Sequence, residues 1–221
     1  MPCAKRLGLI SNSVPFGVMI SVSYTHLFAQ TTPGTSGIAI GLKAGKKSTT
    51  GIANILIGTS AGSSNTTGAR NLFIGHSTGL DNTTGSDNTA VGHSALGNST
   101  TSSFNTALGQ YAGSGLSTGT FNVFVGHYTG EWDTSGSNNT IVGTYAAAAG
   151  VLAKGKGSNN AVLGYNVLRG IVDASENALV GANAGEDITT GDRNNALGTQ
   201  ALANVTTGSS NTGIGLSLIH I

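Results

Sequence analysis

Charge is scarce in this sequence. Lysine, arginine, aspartate and glutamate make up 9% of its 221 residues, against roughly 25% in a typical soluble domain. A formal net charge of +1 provides no basic surface for gripping phosphates, which excludes nucleic acid as an expected partner. Nine acidic residues over the whole chain leave little material for a carboxylate-based active site. Cys3 is the single cysteine, which excludes a disulfide framework and a cysteine zinc site. Proline and aromatic residues are also few. Glycine is what the chain has in excess: 35 residues of 221, about twice the average share of ~7%. Low charge with much Gly, Ser, Thr and Asn would fit a disordered chain. A strict internal period overturns that reading.

The string Asn-x-x-aliphatic-Gly begins at Asn54, Asn71, Asn88, Asn105, Asn122 and Asn139 in steps of 17 residues. It resumes at Asn160, Asn177, Asn194 and Asn211 with the same step. The one longer interval, 139 to 160, is 21 residues and carries a four-residue insertion. One step back from Asn54 lies Gly37, which opens an eleventh copy. The fifth position of every copy is glycine: Gly41, Gly58, Gly75, Gly92, Gly109, Gly126, Gly143, Gly164, Gly181, Gly198 and Gly215. So regular a glycine marks a backbone site that needs positive φ or has no room for a Cβ. The fourth position is always Ile, Val or Leu, from Ile40 to Ile214. Thr-Thr-Gly closes five copies, as at Thr66-Thr67-Gly68.

Seventeen residues cut by two glycine sites leave no room for a long helix, and helical repeats need longer periods. Short β-branched stretches between turn residues predict strands. The fold class expected is all-β, a parallel β-solenoid of about eleven coils. Equivalent residues should stack at about 4.8 Å, giving a rod of roughly 50 Å. The Asn at position one should form a coil-to-coil hydrogen-bonded ladder.

Position three is apolar in most copies: Leu56, Phe73, Ala90, Ala107, Phe124, Ile141, Val162 and Leu179. Neighbours in a strand point to opposite faces, so both faces of the strand are apolar. One face can fill the coil; the other needs covering, and packing of identical rods side by side is the simplest cover. Position three is taken as the face that forms this seam.

Asn88-Thr-Ala-Val-Gly92, Asn105-Thr-Ala-Leu-Gly109 and Thr83-Thr84-Gly85 resemble the head repeats of trimeric autotransporter adhesins. They resemble still more the N-T-A-L-G…A-G…T-T-G repeats of bacterial secreted proteins described as tail-fibre-like. The resemblance covers residues 34–215. It implies a left-handed β-roll, a homotrimer and an adhesive or structural role at a surface. Adhesin heads usually have shorter coils, and no stalk, membrane-anchor strands or chaperone domain follows the repeats, so anchoring has no support.

Residues 1–29 differ from the repeats. Lys5 and Arg6 precede an apolar stretch from Leu7 to Phe28, and Ala29 could precede a cleavage. This segment reads as a secretory signal or as non-native sequence. Val22–Leu27 and residues 216–221 resemble translated adapter sequence, and the register fails at Leu218. The last six residues are therefore expected to be non-native or a truncated end.

The ligand-contact candidates are aromatic or basic. Tyr111, Tyr128 and Tyr145 share position seven of consecutive copies and should stack about 4.8 Å apart. Such a row can bind sugars or serve structure alone, the structural role coming first. Trp132 falls in a predicted turn. Lys154 and Lys156 lie in the irregular segment that holds the insertion, a binding loop or a neutral one. His76, His93 and His127 share position six, but no carboxylate joins that row and no metal is expected. No phosphate loop and no Ser-His-acid set can be singled out. The Thr-Thr pairs raise ice binding, but adjacent residues of a strand point apart. Thr-Thr-Gly therefore reads as a turn with local side-chain-to-backbone hydrogen bonds.

No cofactor, metal or catalysis is expected. The reading is a secreted or surface-exposed adhesin-like or fibre-like rod, partnered by copies of itself. A host glycan, matrix or cell-surface ligand could be bound. The alternatives are a ligand-free spacer, an ice-binding solenoid and a polysaccharide-active solenoid enzyme.

Overall fold

The computed structural model describes residues 37–131, 134–148, 156–170 and 172–216. The expected signal segment, Trp132, Lys154 and residues 217–221 lie outside the described residues. Among those described there are eleven short strands and no helix. The strands are β1 Gly37–Ile40, β2 Asn54–Ile57, β3 Leu72–Ile74, β4 Thr89–Val91, β5 Thr106–Leu108 and β6 Val123–Val125. They continue as β7 Thr140–Val142, β8 Ala161–Leu163, β9 Ala178–Val180, β10 Asn195–Leu197 and β11 Thr212–Ile214. All join one parallel sheet in sequence order, so each strand belongs to one coil of a β-solenoid. The pairing follows the period: Phe73 lies beside Ala90, and Ala90 beside Ala107. Across the insertion Ile141 still pairs with Val162.

Each coil turns its corners through left-handed backbone. In the third copy these residues are Ser77 at position seven, Gly79 at position nine and Asp87 at position seventeen, with φ of 55°, 56° and 59°. A non-glycine residue there costs roughly 1–2 kcal/mol, so stacking must hold it. Position five is more restrictive. Gly92 has φ of 137°, and a Cβ would meet the backbone of Gly109 on the next coil. Both reasons offered for this invariant glycine hold at once.

The asparagine ladder forms as the repeat predicts. Asn88 donates its backbone N–H and its Nδ2 to Oδ1 of Asn71, at 3.0 and 3.1 Å. Its Nδ2 also reaches the carbonyl of Ser102 at 2.9 Å. Each rung thus joins two coils and closes its own. The ladder crosses the insertion intact, with Asn160 N–H on Asn139 Oδ1 at 2.9 Å.

The expected use of position three is corrected. Leu56, Phe73, Ala90, Ala107, Phe124, Ile141, Val162 and Leu179 are all buried in the core of a single chain. The side chains left outside are those of position four: Leu108, Leu163, Leu197 and Ile214 are 40, 50, 53 and 68% exposed. The reason is parity. The ladder asparagines point inward, and position three shares their face of the strand.

The core is filled by size compensation. Phe73 and Phe124 occupy the space beside Gly79 and Gly130 at position nine of their own coils. At Ala90 and Ala196 of position three, position nine carries the buried Leu96 and Leu202; at Ala107 position nine is Gly113, and Phe124 and Leu96 of the neighbouring coils fill the space. Protein interiors are close-packed, so a small residue on one wall demands a large one on the other.

Candidate functional site

Two surfaces stand out, and both arise from the period. On the first, residues of position four form one column across all eleven strands. Ile40, Ile57, Ile74, Val91, Leu108 and Val125 continue through Val142, Leu163, Val180, Leu197 and Ile214. None is fully buried. Position two also faces outward but is mixed, with Ile55 and Leu72 giving way to Thr89, Thr106 and Thr140. Near the last strands Val180, Leu197 and Ile214 line a shallow apolar depression.

The second surface is aromatic. The Tyr111 and Tyr128 rings stack at 4.7 Å, and those of Tyr128 and Tyr145 at 5.5 Å, close to the expected spacing. The row is longer than the tyrosines alone. His93 meets Tyr111 edge-on at 5.1 Å and is stacked on His76 at 5.2 Å. Tyr165 meets Tyr145 edge-on at 6.4 Å. His127 leans on Tyr128 at 4.3 Å. Positions six and seven, treated separately in the sequence, therefore make one strip. Burial beside these rings raises the Tyr128 hydroxyl above its ordinary range, helped by the charges of Tyr111, Glu131 and Tyr145.

Lys156 is exposed but does not join this strip. Its N–H bonds the carbonyl of Val172 at 2.8 Å, which puts it in the row of the closing Thr-Thr pairs. Among the described residues no group of three or more His, Cys, Asp and Glu side chains is placed to hold a metal ion.

The Thr-Thr pairs need a second correction. The first threonine of a pair does not bond locally. Thr66 Oγ1 donates to the carbonyl of Thr83 on the next coil at 2.9 Å, and Thr83 to Thr100 likewise. The second threonine, as at Thr67, Thr84 and Thr101, is exposed. These pairs are coil-to-coil ties.

Sequence reasoning missed three features. At position sixteen a hydroxyl ladder runs along the rod: Ser86 N–H donates to Ser103 Oγ at 3.0 Å, and Ser137 N–H to Ser158 Oγ at 3.0 Å. The recurrence of Ser, Thr or Asp two places before the repeat Asn, from Asn88 to Asn211, was its signal. At position twelve Asn82 Nδ2 reaches Asn65 Oδ1 at 3.1 Å inside the coil. At position seventeen Phe104 and Phe121 stack at 4.9 Å while staying more than half exposed. One coil earlier in the same row, Arg70 grips Asp87 through two bonds of 2.6 and 2.7 Å. That bond holds the Asp87 carboxyl below its ordinary range.

No protein-family model, curated protein or solved structure matches the chain.

Proposed function

We propose that this chain is a structural rod of adhesin-like or fibre-like type, secreted or displayed at a bacterial surface, and that it works as a homotrimer without catalysis. The observation that carries the reading is the outward aliphatic column at position four. Nothing in the coil needs an aliphatic residue there, because the interior is filled by position three. Eleven outward aliphatic residues in register, six exposed and five half-buried, form a strip of about 50 Å, given strands ~4.8 Å apart. Monomeric proteins rarely leave such patches uncovered. Association of rods along this column buries it. The number three comes from the resemblance to trimeric adhesin heads. A long, low-charge rod then presents its other faces as extended contact surface.

Light scattering on a sizing column tests this. The expected mass is three times the 21.9 kDa chain. Replacing Leu108 and Val125 together by aspartate should give a monomer with an unchanged β-sheet circular dichroism spectrum. A monomeric wild-type chain would sink the reading. Binding screens against glycans and matrix proteins then separate an adhesin from a spacer.

A further inference from the structure

The tyrosine row at position seven has an end, and the end borders a groove. At position seven the third and fourth copies carry Ser77 and Ser94, while the fifth, sixth and seventh carry Tyr111, Tyr128 and Tyr145. The change from small to large leaves a step in the rod surface. Tyr111 forms the riser: Tyr128 covers one of its faces, and His93, outside the groove lining, meets the ring edge-on. Ser77, Ser94, Gly97 and Asn98, which line the groove with Tyr111, all belong to the two coils on the other side. Gly97 stands between Leu80 and Ser114 at position ten, so the floor there has no side chain. Leu80, Ser114 and Glu131 complete the lining, and the volume is about 200 Å³.

We propose that this groove is a glycan-binding site that takes one sugar ring against Tyr111. A sugar ring offers an apolar C–H face and a rim of hydroxyls. It is recognised by an aromatic ring together with a dense set of uncharged donors and acceptors. The groove supplies one phenol ring, the apolar Leu80 side chain, three serine hydroxyls and the Asn98 amide. No basic residue lines it, which disfavours an anion. A single carboxylate is too few for a cation site. Its serine hydroxyls and the Asn98 amide disfavour a purely apolar ligand. The volume lies below the ~300 Å³ of the smallest drug-sized sites, so it fits one ring of a chain whose remainder runs over the open rod surface.

The inference rests on the adhesive reading and names a ligand class for it. Its test is saturation-transfer difference NMR on the full chain, with methyl glycosides of neutral hexoses and of N-acetylhexosamines as probes. At least one glycoside should receive saturation. Two variants remove the site by opposite routes. Tyr111→Asn deletes the ring; φ at Tyr111 is 58°, a conformation asparagine adopts readily. Ser94→Tyr extends the ring ladder into the groove, using the residue that the next three coils carry at the same corner. Each should reduce the saturation transfer at least tenfold while molar mass and circular dichroism stay unchanged. No transfer to any glycoside, or undiminished transfer in well-folded Ser94→Tyr, overturns the proposal. A trimer that takes up no glycoside would leave the rod standing and remove this site.

Discussion

The ring of Phe73 fills the space that a Cβ on Gly79 would need. The two residues face each other across one coil, six positions apart in sequence. The next coil solves the same packing with Ala90 and Leu96, both fully buried. Because φ is 56° at Gly79 and 49° at Leu96, both solutions use the same backbone.

This exchange can be tested as a double-mutant cycle. Phe73→Ala should cost about 3–5 kcal/mol through the cavity it leaves. Gly79→Leu alone should be severely destabilising by overpacking. The double variant, which copies the Ala90 and Leu96 arrangement, should recover much of both losses. Denaturant titration of the four proteins reads the coupling, and simple additivity would refute the compensation.

The asparagine ladder predicts an asymmetry between buried and exposed asparagines. Asn105 donates to Asn88 Oδ1 and to the carbonyl of Gly119, and its Oδ1 accepts from Asn122. Asn105→Ala orphans partners on both sides, at about 1–3 kcal/mol for each buried group left unpaired. Asn195, exposed at position two of β10, should tolerate alanine within about 0.5 kcal/mol. Thermal unfolding followed by circular dichroism distinguishes the two.

Position five separates two effects of glycine. A Cβ on Gly109 would meet the backbone of Gly126, whereas one on Gly215 meets nothing within 4 Å. Both have positive φ, 131° and 124°. Gly215→Ala should show only the backbone cost, of order 1–3 kcal/mol. Gly109→Ala should exceed that and split the rod at its middle. Hydrogen exchange resolved by coil would locate the break.

Two titrations should mark the surface rows. Arg70 lowers the Asp87 pKa through its hydrogen bonds. The stabilisation is therefore present above the ordinary aspartate value of ~3.9 and lost as pH falls through the depressed value. The pair is exposed, so the difference between wild type and Asp87→Asn should be small and should vanish in 1 M salt. Tyr128 runs the other way. Its raised pKa gives stabilisation present below the ordinary tyrosine value of ~10 and lost as pH rises through the raised value. Ultraviolet titration should show one late-ionising tyrosine, absent in Tyr128→Phe.

Most of the architecture was legible because it is periodic. The recurrence of Asn, aliphatic and Gly every 17 residues specified parallel strands, one per coil, and the ladder that links them. The tyrosine stack followed from the shared position of Tyr111, Tyr128 and Tyr145. The assignment of faces was misread, since alternation is uninformative when both neighbours are apolar. The inward asparagine two places earlier held the answer. The groove beside Tyr111 was not legible, because it depends on residues from four coils whose neighbourhood the linear period does not display.

The sequence by itself determined the repeat, the parallel sheet and the glycine sites, because each is a local demand renewed in every copy. Only the tertiary structure decided that position three fills the coil and position four faces out. It also decided that rings from two positions merge into one strip, and that the tyrosine row within it ends at a groove. Those outcomes follow from how a closed coil packs its interior and where the αL corners aim the side chains, and neither quantity exists until the coils stack.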